Sequence, residues 1–423
     1  MSEQTSPKPS EYRYDLEVSR FIGHLVNNDI PIYLIYIPSR ELVKRDVIEE
    51  LLKVELYPHR TKSIDEQKKI VEDFFKYAIF SHKWSGPEPQ FKDVPRLDPV
   101  DVTNQRGGTV IDDKKARGYK KLQNFLDKAE KFGCKFAWSD TCCIDKSSSA
   151  ELQESLVSMF KWYRKSEICI AYMGDTTSIK DIQGDSWFTR GWTLQELLAP
   201  QKMQFYNKEW VPINDYGNPK LEREMEKCCN QLIEWYNDKL NGRGERNNWT
   251  DGLKWADDVD NNDKVKPGLH FPYSFEEQKE GTRELLDKGN VVFLKVVEQV
   301  VGIGPDDLND FNPGSYNIRE RLNWASGRTT TKDEDMAYSL MGIFDVQLPI
   351  NYGEGAAKAF FNLQSEIMKR SCDMGLFAWS GKSSPYASLL AAGPECFKGV
   401  LRSPDGWNAA SFPSNVVRTL FPL

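Results

Sequence analysis

The chain has 423 residues, 39% apolar and 12% aromatic, enough for a sizeable core in two or three domains or one elaborated domain. Lys and Arg number 56 against 63 Asp and Glu; the net charge of -7 and a pI of about 5.5 remove the electrostatic footprint of a nucleic-acid binder. Mean hydropathy is -0.59, no apolar run approaches the ~18 residues that span a bilayer, and the polar start, Met1 to Ser10, has no signal core. The expectation is a cytoplasmic protein with neither membrane nor nucleic acid as partner.

In chain order, residues 1–10 read as disordered. The apolar segment Ile30 to Ile37 reads as a buried strand, followed by a charged helix. Tyr77 to Phe80 is a short strand ending in Ser81-His82-Lys83-Trp84, and 85–117 is a long Pro-, Asp- and Gly-rich loop. A helix over Tyr119 to Phe132 buries Leu122, Phe125, Leu126, Ala129 and Phe132, with Gly133 as its stop. Lys135 to Trp138 is a second strand. A second helix over Glu151 to Lys165 carries the stripe Leu152, Leu156, Met159, Phe160 and Tyr163. Ile168 to Met173 is a third strand, Trp192 to Leu198 a short helix, and Met203 to Tyr206 a fourth strand. This alternation predicts a parallel sheet with helices on both faces, with ligands bound beyond the carboxyl ends of its strands. Farther on, Leu221 to Leu240, Asn290 to Val301, Asp333 to Phe344 and Ala356 to Met368 read as helices, 241–283 as a polar insert, and 375–423 as short strands and turns.

Four histidines (His24, His59, His82, His270) are scattered away from cysteine at ligand spacing, and the eight cysteines include no C-x-x-C, so neither zinc nor a disulfide scaffold is expected. His82 beside Cys142 or Cys143 would give a thiol nucleophile with its base, the weaker enzyme reading. Gly375 to Lys382 mimics a phosphate loop, but five residues separate its glycines instead of four. The lysines from Lys114 to Lys121 read as a solvated face. Asp140 and Asp145 lie at a strand end. Glu196, on a helix among Trp and Leu, is either paired with Arg190 or a desolvated pocket acid.

Three blocks then carry a resemblance: YAIFSHKW (Tyr77 to Trp84), Trp138 to Lys146 with the helix from Glu151, and WFTRGWTLQELLAP (Trp187 to Pro200). With a fourth, Ile318 to Gly355, they make the sequence resemble the heterokaryon incompatibility (HET) domain family of filamentous fungi. The resemblance implies non-self recognition and regulated cell death, an incompatibility partner protein, and a remote similarity to TIR domains with their flavodoxin-like parallel sheet. Many TIR domains hydrolyse NAD+ with a glutamate in a Trp-Cys-x-x-Glu-Leu helix; Trp192 to Leu197 matches, with Thr193 where cysteine is usual.

The implied activity is an NAD+ glycohydrolase with NAD+ as substrate, no cofactor and no metal, active as a homo-oligomer. Glu196 is its expected catalytic residue; Ser81, His82, Trp84, Asp140, Trp187, Arg190 and Trp192 are its expected substrate-binding residues, with Trp84 or Trp187 stacking on nicotinamide. The alternative is a non-enzymatic signalling module that acts by self-association. The expected layout is an N-terminal segment (1–72) joining an α/β core (73–215), a helical extension (216–370) and a strand-and-turn tail (371–423).

Overall fold

The computed structural model describes residues 15–96, 116–213 and 291–399. The disordered reading of 1–10, the helix over Leu221 to Leu240 and the insert 241–283 fall outside them, as do 97–115 of the long loop and 400–423 of the tail.

Six strands form one sheet in the order β2-β1-β4-β3-β5-β6: β1 (Tyr33–Tyr36), β2 (Glu41–Lys44), β3 (Tyr77–His82), β4 (Phe136–Trp138), β5 (Ile168–Tyr172) and β6 (Met203–Tyr206). The last four run parallel, but β1 is antiparallel to both β2 and β4, so the sheet is mixed where a parallel one was expected. For the β1–β2 pair the reason is local. A four-residue turn with Arg40 at φ +60° joins β1 to β2, and a connection that short permits only antiparallel pairing. Helices α1 (Leu16–Asn28), α2 (Arg45–Leu56) and α3 (Ile64–Phe74) surround this N-terminal hairpin and pack on one another. Asp15 caps α1, and a Ser63–Glu66 capping box starts α3.

Every side chain of β3 is buried, as a central strand covered on both faces requires. Tyr77 and Ser81 point to one face, where the Tyr77 hydroxyl donates to the Trp162 carbonyl at 2.5 Å. Phe80 and His82 point to the other, where Phe80 stacks on Phe125 at 4.4 Å. Thus α4 (Ala116–Lys131) covers one face, and α5 (Ser149–Lys165) with α6 (Thr193–Leu198) covers the other. The chain leaves β3 through α4 to reach β4 on one side, then returns through α5 to β5 on the other side of β3. The strand order therefore reverses at β3, and the crevice this creates opens beyond its carboxyl end, at Ser81 and His82.

The described part of the C-terminal extension carries helices over Val291–Val301, Pro305–Asn309, Ile318–Ala325 and Ala356–Arg370. The helix expected over Asp333 to Phe344 is instead two turns, Asp335–Tyr338 and Met341–Phe344. Between them the ladder tightens, with the amides of Leu340 and Ile343 bonding three residues back. The second turn lies so close to α5 that a Cβ on Gly342 would stand 2.2 Å from the Phe160 Cβ. Arg321, almost wholly buried, donates to the carbonyls of Asn312, Gly314 and Ile343 and so ties the extension together. Residues 375–399 contain short 3-10 turns and one Ser383–Ala391 bridge.

Candidate active site

Glu196 lies on α6, a helix of six residues, every one of them buried. Its position follows from packing: Leu194, Leu197 and Leu198 are driven inward, so the short helix has no solvent face on which to place a charge. The carboxylate accepts a hydrogen bond from the Ser81 hydroxyl (Oγ to Oε2, 2.6 Å), and Ser81 accepts one from the Trp187 indole (Nε1 to Oγ, 2.9 Å). Burial, seconded by the Asp140 charge, pushes the Glu196 carboxyl up to about 7 against the opposing pull of Ser81, Arg190 and Tyr163. Among the described residues Glu196 makes no ion pair, so of the two readings, pairing with Arg190 or a pocket acid, the geometry favours the second. It is a desolvated, hydrogen-bonded acid that titrates near neutrality, 6% exposed at the end of the central strand.

On the other side of β3, the Trp84 indole donates to Asp140 (Nε1 to Oδ2, 3.0 Å), while His82 Nε2 stands 3.5 Å from Asp140 Oδ1. That separation is too long for a hydrogen bond. Both ring nitrogens of His82 and the Asp140 Oδ1 are buried, and none of the three has a hydrogen-bond partner among the described residues. Burial and the neighbouring Lys121 lower the His82 pKa, which favours the neutral ring. Burial alone would raise the Asp140 carboxyl, but His82, Lys146 and Arg190 outweigh it and hold Asp140 at about 2.

The expected site residues therefore separate. Ser81, Glu196 and Trp187 form one hydrogen-bonded chain, and His82, Trp84 and Asp140 form a second cluster. Arg190 acts electrostatically on both acids. Trp187 is fully buried, its ring edge-on to Phe188 and Phe205, so it cannot stack on a ligand as expected; it is the donor that orients Ser81. Trp84 is 41% exposed, so part of its side chain stays open to a ligand. Trp192 turns away to the extension, where its side chain hydrogen-bonds to Asp335.

The thiol reading also fails on geometry. His82 bonds to neither Cys142 nor Cys143, both are buried, and burial drives the Cys143 thiol well above its usual range, away from a reactive thiolate.

Several contributors carried no signal that sequence reasoning used. Lys121, expected on a solvated face, is buried in an ion pair with Glu88, and Gly118 allows the approach because a Cβ there would meet the Pro87 carbonyl at 2.2 Å. Tyr163, read only as core, donates its hydroxyl to the Phe80 carbonyl at 2.9 Å and lies close enough to Glu196 to oppose the rise in its pKa. Arg328, from the extension, is buried and donates to the Arg190 carbonyl at 2.9 Å and to Thr193 Oγ1 at 3.0 Å, holding the turn that leads into α6. Both Lys146 and Arg328 sit within blocks that carried the family resemblance, which was the available clue. A groove of about 700 Å³ between α5 and Gln347 to Pro349 contains none of these groups; its one carboxylate, Glu154, is already paired with Arg45.

Comparison with known proteins gives two matches. Residues 77–181 match the family model described as Heterokaryon incompatibility protein (HET), a span that runs from β3 past β5 and includes Ser81, His82, Trp84, Asp140 and Lys146. Glu196 and the extension lie beyond it. The Vegetative incompatibility protein HET-E-1 of Podospora anserina is 32% identical over 304 residues, which cover 69% of this chain and 16% of that protein. This chain thus aligns with a small part of that relative's length. No solved structure matches. The matched strands and the residues at their ends place the chain in the heterokaryon incompatibility (HET) family.

Proposed function

We propose that this chain is a module of fungal non-self recognition and cell death whose α/β core is TIR-like and hydrolyses NAD+ at the nicotinamide–ribose bond. The observation that carries the reading is Glu196: a buried carboxylate, free of any ion pair among the described residues and hydrogen-bonded to Ser81, where the strand order reverses. The order of the four parallel strands, with the first between the second and third, supports the TIR-like comparison.

The chemistry suits such an acid. Nicotinamide in NAD+ is a cationic leaving group and departs as the neutral base with the electron pair of the C1′–N bond. The ribose is left oxocarbenium-like, as in glycoside hydrolysis. Glu196 stabilises that developing positive charge and holds the ribose hydroxyls, while Ser81, fixed by Trp187, fixes the carboxylate. Water adds at C1′ and releases its proton, giving ADP-ribose. The Trp84 face offers a stacking surface beside the second acid, Asp140.

The test is NAD+ consumption by purified protein at high, self-associating concentration, with wild type beside Glu196→Ala and Glu196→Gln. Nicotinamide release that both folded variants abolish supports the reading. Activity retained by both would overturn the role of Glu196. Absence of consumption in the wild type would leave signalling by self-association as the function.

A further inference from the structure

Resting on the dinucleotide reading, we propose that Lys146, Arg190 and Lys332 form an anion subsite that holds the pyrophosphate bridge of the substrate beside Trp84. Two of the cations converge on one ring. The Lys146 ammonium lies 4.1 Å from the Trp84 ring centroid and the Arg190 guanidinium carbon 5.7 Å from it. The ring itself is fixed by its hydrogen bond to Asp140.

The third cation arrives on the extension. Thr329 forms a parallel bridge with Arg190: the Gly191 amide donates to the Thr329 carbonyl at 2.8 Å, and the Thr329 amide to Thr189 at 2.7 Å. The strap runs so close that a Cβ on Gly191 would meet Thr330 Cγ2 at 2.4 Å. Three residues beyond the bridge, the Lys332 ammonium sits 3.3 Å over the Tyr352 ring.

Charge makes this cluster a site rather than a coincidence. Among the described residues, none of the three cations has an ion-pair partner. Desolvation by the surrounding protein first, and then the charges of Lys332 and Arg190, lower the Lys146 pKa, so Lys146 is repelled by both of the other cations, with Asp140 as the chief opposing acid. The two acids on which Lys332 acts electrostatically are already engaged. Glu334 accepts the amides of Gly353 and Gly355, and Asp335 accepts Tyr352 and Trp192. A dianion relieves that repulsion and gains charge-assisted hydrogen bonds. The charge of Arg190 acts on Glu196 as well as on Asp140, so the subsite adjoins the acid proposed to meet the ribose.

The test is calorimetric binding of ADP-ribose, inorganic pyrophosphate and nicotinamide riboside to the full chain carrying Glu196→Gln, with Lys146→Ala, Lys332→Ala or Lys146→Arg added. Each alanine change is expected to weaken ADP-ribose by about tenfold or more, the loss of one charge-assisted contact, with Lys146→Arg retaining most of the affinity and nicotinamide riboside unaffected. In the Glu196 background, Lys146→Ala should raise KM for NAD+ with little change in kcat. Unchanged thermal midpoints will show that the variants fold. Undiminished ADP-ribose binding in both alanine variants would overturn the subsite, as would an equal loss for nicotinamide riboside, or binding of pyrophosphate without ADP-ribose. Lysine-dependent ADP-ribose binding in a protein that releases no nicotinamide would keep the subsite and overturn the glycohydrolase.

Discussion

Replacing Glu196 by Gln should stabilise the protein, and the gain should depend on pH. The carboxyl titrates at about 7 in the fold, against 4.5 when unperturbed. A carboxyl whose folded pKa is raised binds its proton more tightly in the native state. Its ionisation therefore costs nothing below about pH 4.5, costs progressively more between about 4.5 and 7, and costs a constant amount above that. At about 1.4 kcal/mol per pH unit, the accumulated penalty is about 3 kcal/mol at pH 8. Glutamine keeps the volume and an acceptor for the Ser81 hydroxyl but has no proton to lose. The difference in unfolding free energy, Glu196→Gln minus wild type, should rise by about 3 kcal/mol from pH 4.5 to pH 8, seen as a gain of several degrees in Tm at the alkaline end. Denaturant or thermal unfolding at four pH values in ligand-free buffer measures it. A difference that is flat with pH, or that turns against glutamine as pH rises, would refute the placement of Glu196 as a desolvated acid outside any ion pair. In the proposed reaction the same ionisation supplies the working carboxylate, so activity should rise through about pH 7 as stability falls.

Two further outcomes probe the supports of the site. Lys121→Met leaves Glu88 buried without its cation and should cost about 3–5 kcal/mol, while adding Glu88→Leu should recover much of the loss, measured by denaturant unfolding. Gly342→Ala drives a methyl into Phe160 and should cost about 1–3 kcal/mol, whereas Gly327→Ala, with open space around the new carbon, should stay within about 0.5 kcal/mol by the same measurement.

The elements of the core were legible because their signals are local. The helical stripe Leu122, Phe125, Leu126 and Ala129 and the apolar residues Ile168 to Ala171 each state their own periodicity, and both are buried where that periodicity places them. The direction of β1 was not legible: the turn that reverses the chain concerns β2, and the pairing with β4 joins residues about a hundred positions apart. The single helix read over Asp333 to Phe344 broke into two turns where the chain passes hard against Phe160, a contact no window of sequence contains.

The same division runs through the site. Sequence by itself determined that Ser81, His82, Asp140 and Glu196 come at the ends of strands or on the short helix between them, because alternating strands and helices deliver such residues to one edge of a sheet. Only the tertiary structure decided what each does there. Trp84 and Trp187 are the same residue type within similar aromatic blocks, yet one is 41% exposed and the other wholly buried. Packing, which depends on the sum of distant neighbours, makes that choice. Likewise Arg328 and Lys332 reach the site from about 130 residues away, through the bridge between Arg190 and Thr329. Charge identity is written in the chain; the distance between charges, and so their energy, exists only once it folds.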